Sequence, residues 1–183
     1  MIGLTSSNNV SLAQHPCQDM VAYIAGSVVV LYDTKKNRQY MLLNANAPLP
    51  PSQVDGSSLS GSSLGVFTSM GSLSSAVQNP VKRVQLTLKP LFCVAFSSDG
   101  NFVAAGEVGH DPRILIWDTG TGYLVNEMKA HKFGVLSLCF SPNGKYLASI
   151  GHHHDGFLYI WNWKSGMKLA SNKVSTKVTS LSY

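Results

Sequence analysis

Arg113-Ile114-Leu115-Ile116-Trp117-Asp118 and Phe157-Leu158-Tyr159-Ile160-Trp161-Asn162 are one pattern written twice, 44 residues apart. The echo extends outward at the same offset. Phe96 falls on Phe140, Gly100 on Gly144, His110 on His154 and Asp111 on Asp155. Ser97-Ser98-Asp99-Gly100 aligns with Ser141-Pro142-Asn143-Gly144. A fixed period of this length is the mark of a repeat architecture. Repeat folds mostly bind rather than catalyse, so the period also bears on function.

Each repeat reads as four short strands. In the later one, Gly134–Ser141 is apolar and β-prone, Pro142-Asn143-Gly144 is a turn, and Tyr146–Ile150 is a second strand. His152–Gly156 is a polar turn, Phe157–Trp163 a third strand and Met167–Ser171 a fourth. The earlier repeat gives Leu91–Ser97, Phe102–Glu107, Arg113–Asp118 and Leu124–Lys129. Four antiparallel strands make one blade of a β-propeller. A degenerate blade precedes them, with Val21–Ala25, Ser27–Asp33 and Tyr40–Leu43, Tyr32 at the tryptophan position, and Ile2–Ser6 as its expected first strand. Lys177–Tyr183 resembles the opening strand of a further blade. The expected fold is all-β, a partial propeller of about three four-stranded blades plus one strand. The expected units are 1–44 (degenerate first blade), 86–130 (second), 131–175 (third) and 176–183 (an incomplete blade).

Tyr32 lies 62 residues before Val94, whereas Trp117 lies only 21 before Leu138. The excess is residues 45–85, rich in Ser, Gly and Pro. Such a segment buries too little apolar area to offset its ordering entropy. It is expected to be a disordered surface loop whose serines are candidates for phosphorylation.

The formal net charge is +5, spread so that no basic run exceeds two residues (Lys35-Lys36, Lys82-Arg83). This argues against a direct nucleic-acid interface, which clusters its charge. Cys17, Cys93 and Cys139 are odd in number and show no C-x-x-C spacing, as expected of a reducing compartment. Met1-Ile2-Gly3-Leu4 does not read as a secretory leader, and Val21–Tyr32 is too short and too broken to span a bilayer. A cytoplasmic location and no membrane partner are expected.

Four residues of the third blade form a constellation: His131, Ser149, Asp155 and Trp161. A buried indole N–H needs an acceptor. A strand hydroxyl can accept it and donate to a histidine, whose other nitrogen can pair with a turn aspartate. The side chains match a catalytic triad, but Ser149 falls within a strand rather than on an exposed nucleophile turn. A structural hydrogen-bond network is expected, with no catalytic residue. The preceding blade keeps Asp111 and Trp117 but has Ala105 and Thr87 where Ser149 and His131 stand, so a partial network resting on packing is expected there. His152-His153-His154 reads as a surface turn whose neighbours point apart, with no metal site expected. No phosphate loop or carboxylate pair suggests a cofactor.

Trp117-Asp118 is the dipeptide that names the WD repeats, and Ala130-His131 stands where their Gly-His is usual. Val21–Asp33, Gly106–Asp118, Leu158–Lys164 and Ala170–Ser175 go further. They resemble the scaffold family of mitogen-activated protein kinase-binding protein and its spindle-pole paralogue, WD repeat-containing protein sixty-two. The resemblance covers nearly the whole chain except the insert. It implies a non-enzymatic protein-interaction scaffold with two joined propellers and a long C-terminal region. Its partners would be kinase-pathway proteins of the stress-activated (JNK-type) MAP kinase class and components of the spindle pole or centrosome. Kinase-docking segments lie outside the matched part, so no partner-binding residue carries over. The echinoderm microtubule-associated protein-like family shares the turn and the Trp-x-Trp strand and is the second reading, with microtubules as partner. Three blades and a strand cannot close a ring, so a piece of a longer propeller, self-associating when alone, is expected.

Overall fold

A computed structural model describes residues 10–46 and 88–182. The described residues form twelve strands in three four-stranded antiparallel sheets and no helix. The first sheet is β1 (Leu12–Gln14), β2 (Met20–Ala25), β3 (Val28–Asp33) and β4 (Arg38–Asn44). The second is β5 (Leu91–Phe96), β6 (Phe102–Glu107), β7 (Arg113–Asp118) and β8 (Leu124–Lys129). The third is β9 (Val135–Phe140), β10 (Leu147–Gly151), β11 (Phe157–Asn162) and β12 (Met167–Lys173). Within every sheet the strands pair in chain order, which is the meander of a propeller blade.

The same local chemistry recurs in each blade. The ladder between third and fourth strands shifts register between Leu31 and Tyr32, between Ile116 and Trp117, and between Ile160 and Trp161. A bulge bends a strand and strengthens its twist, and here it falls where the large ring must be seated. The hairpin that follows needs one left-handed residue, supplied by Asn37 (φ 51°), Gly122 (φ 74°) and Gly166 (φ 70°). Glycine and asparagine are the residues that adopt this region readily. Asp118, the second residue of the dipeptide, ties that hairpin: its Oδ1 accepts the Gly120 and Thr121 amides at 2.9 and 2.8 Å. The first hairpin of a blade is tied likewise. Ser97 donates to Asp99 at 2.5 Å and Ser141 to Asn143 at 2.7 Å, and the two serines accept the Phe102 and Tyr146 amides at the entry to the next strand.

Two apolar layers lie between the sheets. Ile24, Leu31, Leu43, Val94, Leu115 and Trp117 fill the first; Cys93, Ile114, Ile116, Phe140, Trp161 and Trp163 belong to the second. The middle sheet is therefore covered on both faces, which is why the centre of β7, Ile114-Leu115-Ile116-Trp117, reads as a continuous apolar run instead of an alternation. Each Leu or Ile so buried contributes roughly 1.5–3 kcal/mol. β4 shows the one-sided case: Met41 and Leu43 face the second sheet, while Tyr40 and Leu42 are both 47% exposed. β12 is exposed along its whole length.

Two strand expectations are corrected. The first blade opens on Leu12–Gln14, paired with Tyr23–Val21; Ile2–Ser6 lies outside the described residues. The alternation Leu12-Ala13-Gln14 is too brief to stand out as a strand in isolation. Lys177–Ser182 forms no strand; the Leu181 amide instead donates to Ser137 Oγ at 3.1 Å, across from β9. Nearly all of the Ser-rich segment 45–85 lies outside the described residues, as do Thr87 and Tyr183.

Candidate functional site

β10, β11, the turn between them and the β8–β9 connection bring Ser149, Trp161, Asp155 and His131 together. Trp161 Nε1 donates to Ser149 Oγ at 2.8 Å. Ser149 Oγ lies 2.9 Å from His131 Nε2, and His131 Nδ1 lies 2.5 Å from Asp155 Oδ2. One proton arrangement satisfies every group. The neutral imidazole carries its hydrogen on Nδ1 and donates to the carboxylate; Ser149 donates to Nε2 and accepts from the indole. A doubly protonated ring would leave the Ser149 hydroxyl with no acceptor. Burial pushes the His131 pKa down, outweighing the Asp155 carboxylate that raises it. All four residues are buried, Ser149 completely. The serine oxygen is engaged by the indole and closed to solvent, so this geometry clamps a blade and offers no nucleophile to a substrate. Gly151 makes room for it: a Cβ there would lie 2.2 Å from Asp155 Oδ2 and 2.5 Å from His131 Nδ1.

The second blade is built differently at the same positions. Trp117 Nε1 donates to the Asn44 carbonyl of the first sheet at 3.0 Å. Asp111 is exposed, adopts φ 49°, and pairs with exposed His110 at 2.9 Å. The expected partial network of Asp111 with Trp117 is therefore corrected: the two are not joined. Nor does packing alone hold this blade. Glu107, fully buried, receives Arg113 Nη2 at 2.6 Å, Arg113 Nε at 3.0 Å and the Arg113 amide at 2.9 Å. The hydrogen bond to Glu107 holds the Arg113 pKa above its ordinary value, against burial. Glu107 stands at the Gly151 position of the repeat, where the third blade leaves room for His131 and Asp155. In the second blade this position carries a carboxylate bound to Arg113, and Asp111 lies at the surface. The signal was present in the sequence: two charged residues lie in β runs where the echo has Gly151 and Phe157.

The histidine run is also corrected. The turn does not splay His152, His153 and His154; one ring nitrogen from each lies within 4.8 Å of the others. Their ring centroids are 3.7–5.4 Å apart. Cys93, by contrast, is inert: it is fully buried, its thiol faces the Val135 carbonyl at 3.4 Å, and desolvation pushes its pKa up to about 12.

Residues 82–118 and 122–162 match the WD40 family, described as WD domain, G-beta repeat. These two stretches are WD40 repeats. The C-terminal WD40 domain of Sif2 superposes on 91% of the chain with a TM-score of 0.57 at 19% identity, and the match spans 37% of that domain. It supports the WD40 fold alone. Over all 183 residues the WD40 chain is 32% identical to mitogen-activated protein kinase-binding protein 1 of Mus musculus. It is 34% identical over the same length to WD repeat-containing protein 62 of Mus musculus. It spans 9% of the length of each. No helix among the described residues is long and apolar enough to cross a membrane.

Proposed function

We propose that this chain is a non-enzymatic interaction segment of a larger scaffold, one that gathers mitogen-activated protein kinase components and concentrates at the spindle pole. The carrying observation is its end-to-end similarity to two large WD40 proteins, one of which is named for binding that kinase. The chemistry agrees: the triad-like residues are buried and spent on each other, so the blades act as rigid platforms for protein partners. The test uses the longest natural form of the protein. Purified stress-activated kinase should bind it saturably, and the tagged protein should gather at spindle poles in dividing cells. Failure of both removes the reading. Microtubule co-sedimentation that is lost at raised salt would favour the cytoskeletal alternative instead.

A further inference from the structure

We propose that His152, His153 and His154 form a surface site for a divalent transition-metal ion of the class that prefers imidazole, zinc or copper. The turn that carries them is anchored at both ends. The His152 amide donates to the Gly134 carbonyl at 3.0 Å. The Asp155 and Gly156 amides close back on the His152 carbonyl at 2.7 and 3.0 Å. The Asp155 carboxylate is fixed on buried His131 at 2.5 Å. A site on a fixed support loses less freedom on binding than one on a loose loop.

The ligand atoms are nearly placed. Three ring nitrogens fall within 4.8 Å of one another. Imidazole nitrogens about 2.1 Å from one tetrahedral ion are about 3.4 Å apart. Small side-chain rotations close the difference, and His153 and His154 are exposed and free to make them. Asp155 is already spent on His131, so the set is three neutral nitrogens and the fourth coordination position is left to water or a partner's side chain. His152 and His153 also line a cavity of about 270 Å³ with Phe92, Leu136 and Lys177, which puts the ion at its edge.

The test is calorimetric titration of the whole chain with zinc chloride in a non-chelating buffer. One ion per chain should bind. His153→Gln should weaken binding by about tenfold or more, and the triple change His152→Gln/His153→Gln/His154→Gln should abolish it. His110→Gln, at an exposed histidine elsewhere, should leave binding unchanged. Absence of saturable uptake by the unaltered chain overturns the proposal, and so does undiminished uptake by the triple variant. Should the triple variant lose its β-sheet circular dichroism, His153→Gln and His154→Gln carry the same test singly, because both side chains face solvent.

Discussion

Ser149 makes two bonds with one oxygen, and both partners are buried with it. Ser149→Ala would strand the Trp161 indole N–H and His131 Nε2 together. Each unsatisfied buried group costs about 1–3 kcal/mol, so the variant should unfold at clearly lower urea, with the whole loss visible as a shifted midpoint. His131 adds a pH dependence. Its pKa is lowered from the ordinary 6.5 by burial, so the unfolded chain takes up the proton first as pH falls. Stability from this group is complete above the unfolded value and is lost as pH drops below about 6.5 toward the lower folded value. Imidazole resonances should show His131 titrating below 6.5 in the folded chain; titration at or above that value would contradict the neutral Nδ1–H form.

At the scale of the blade, the two repeats reach the same shape with different polar chemistry. The third blade links its strands through a neutral relay, and the second through a buried ion pair. The pair reaches outward as well: Arg113 Nη1 lies 3.4 Å from Glu127, which pairs with Lys129 at 2.7 Å. Glu107→Ala leaves the Arg113 guanidinium without its main partner and should cost about 3–5 kcal/mol. Replacing both residues with apolar ones, Glu107→Leu with Arg113→Met, should recover most of that loss, because desolvation offsets much of a buried pair's attraction. Thermal unfolding of the two variants beside the parent decides it; a double variant no better than the single would show the pair to be a net stabiliser. Thr119 and Trp163 give a second case of one role in two chemistries. At the same repeat position, the Thr119 hydroxyl donates to the Gly100 carbonyl at 2.9 Å and the Trp163 indole to the Gly144 carbonyl at 2.9 Å.

Over the whole molecule, the middle sheet is the only one covered on both faces by the described residues. The outer sheets present Leu12, Tyr40 and Leu42 on one side and Tyr146, Met167 and Leu169 on the other, between 37% and 57% exposed. Apolar area of this kind drives association. The isolated chain should elute from size exclusion as oligomers by light scattering, growing with concentration; a sharp monomer with cooperative melting would show that these faces are self-sufficient.

The 44-residue echo, the turn residues and the apolar periods by themselves determined the strands of the second and third blades, their order and the blade architecture, because these depend on local chemistry that repeats; the brief β1 and the strandless end at 177–182 carry no such repeat, and the linear pattern misplaced them. The residues of the third-blade relay were legible for the same reason: each polar type had a stated bond to make. Tertiary structure alone decided the rest. Glu107 and Arg113 became partners because a buried charge must find its counter-charge across a hairpin, and linear spacing does not say which strand faces carry them. Asp111 and Asp155 are equivalent in sequence, yet one is exposed and the other buried; the repeat position that is Gly151 beside Asp155 is Glu107, paired with Arg113, in the other blade. Three adjacent histidines were expected to diverge, but the turn's own hydrogen bonds curl them to one side. Side-chain direction in a turn follows from its closed backbone, and only the folded chain shows that.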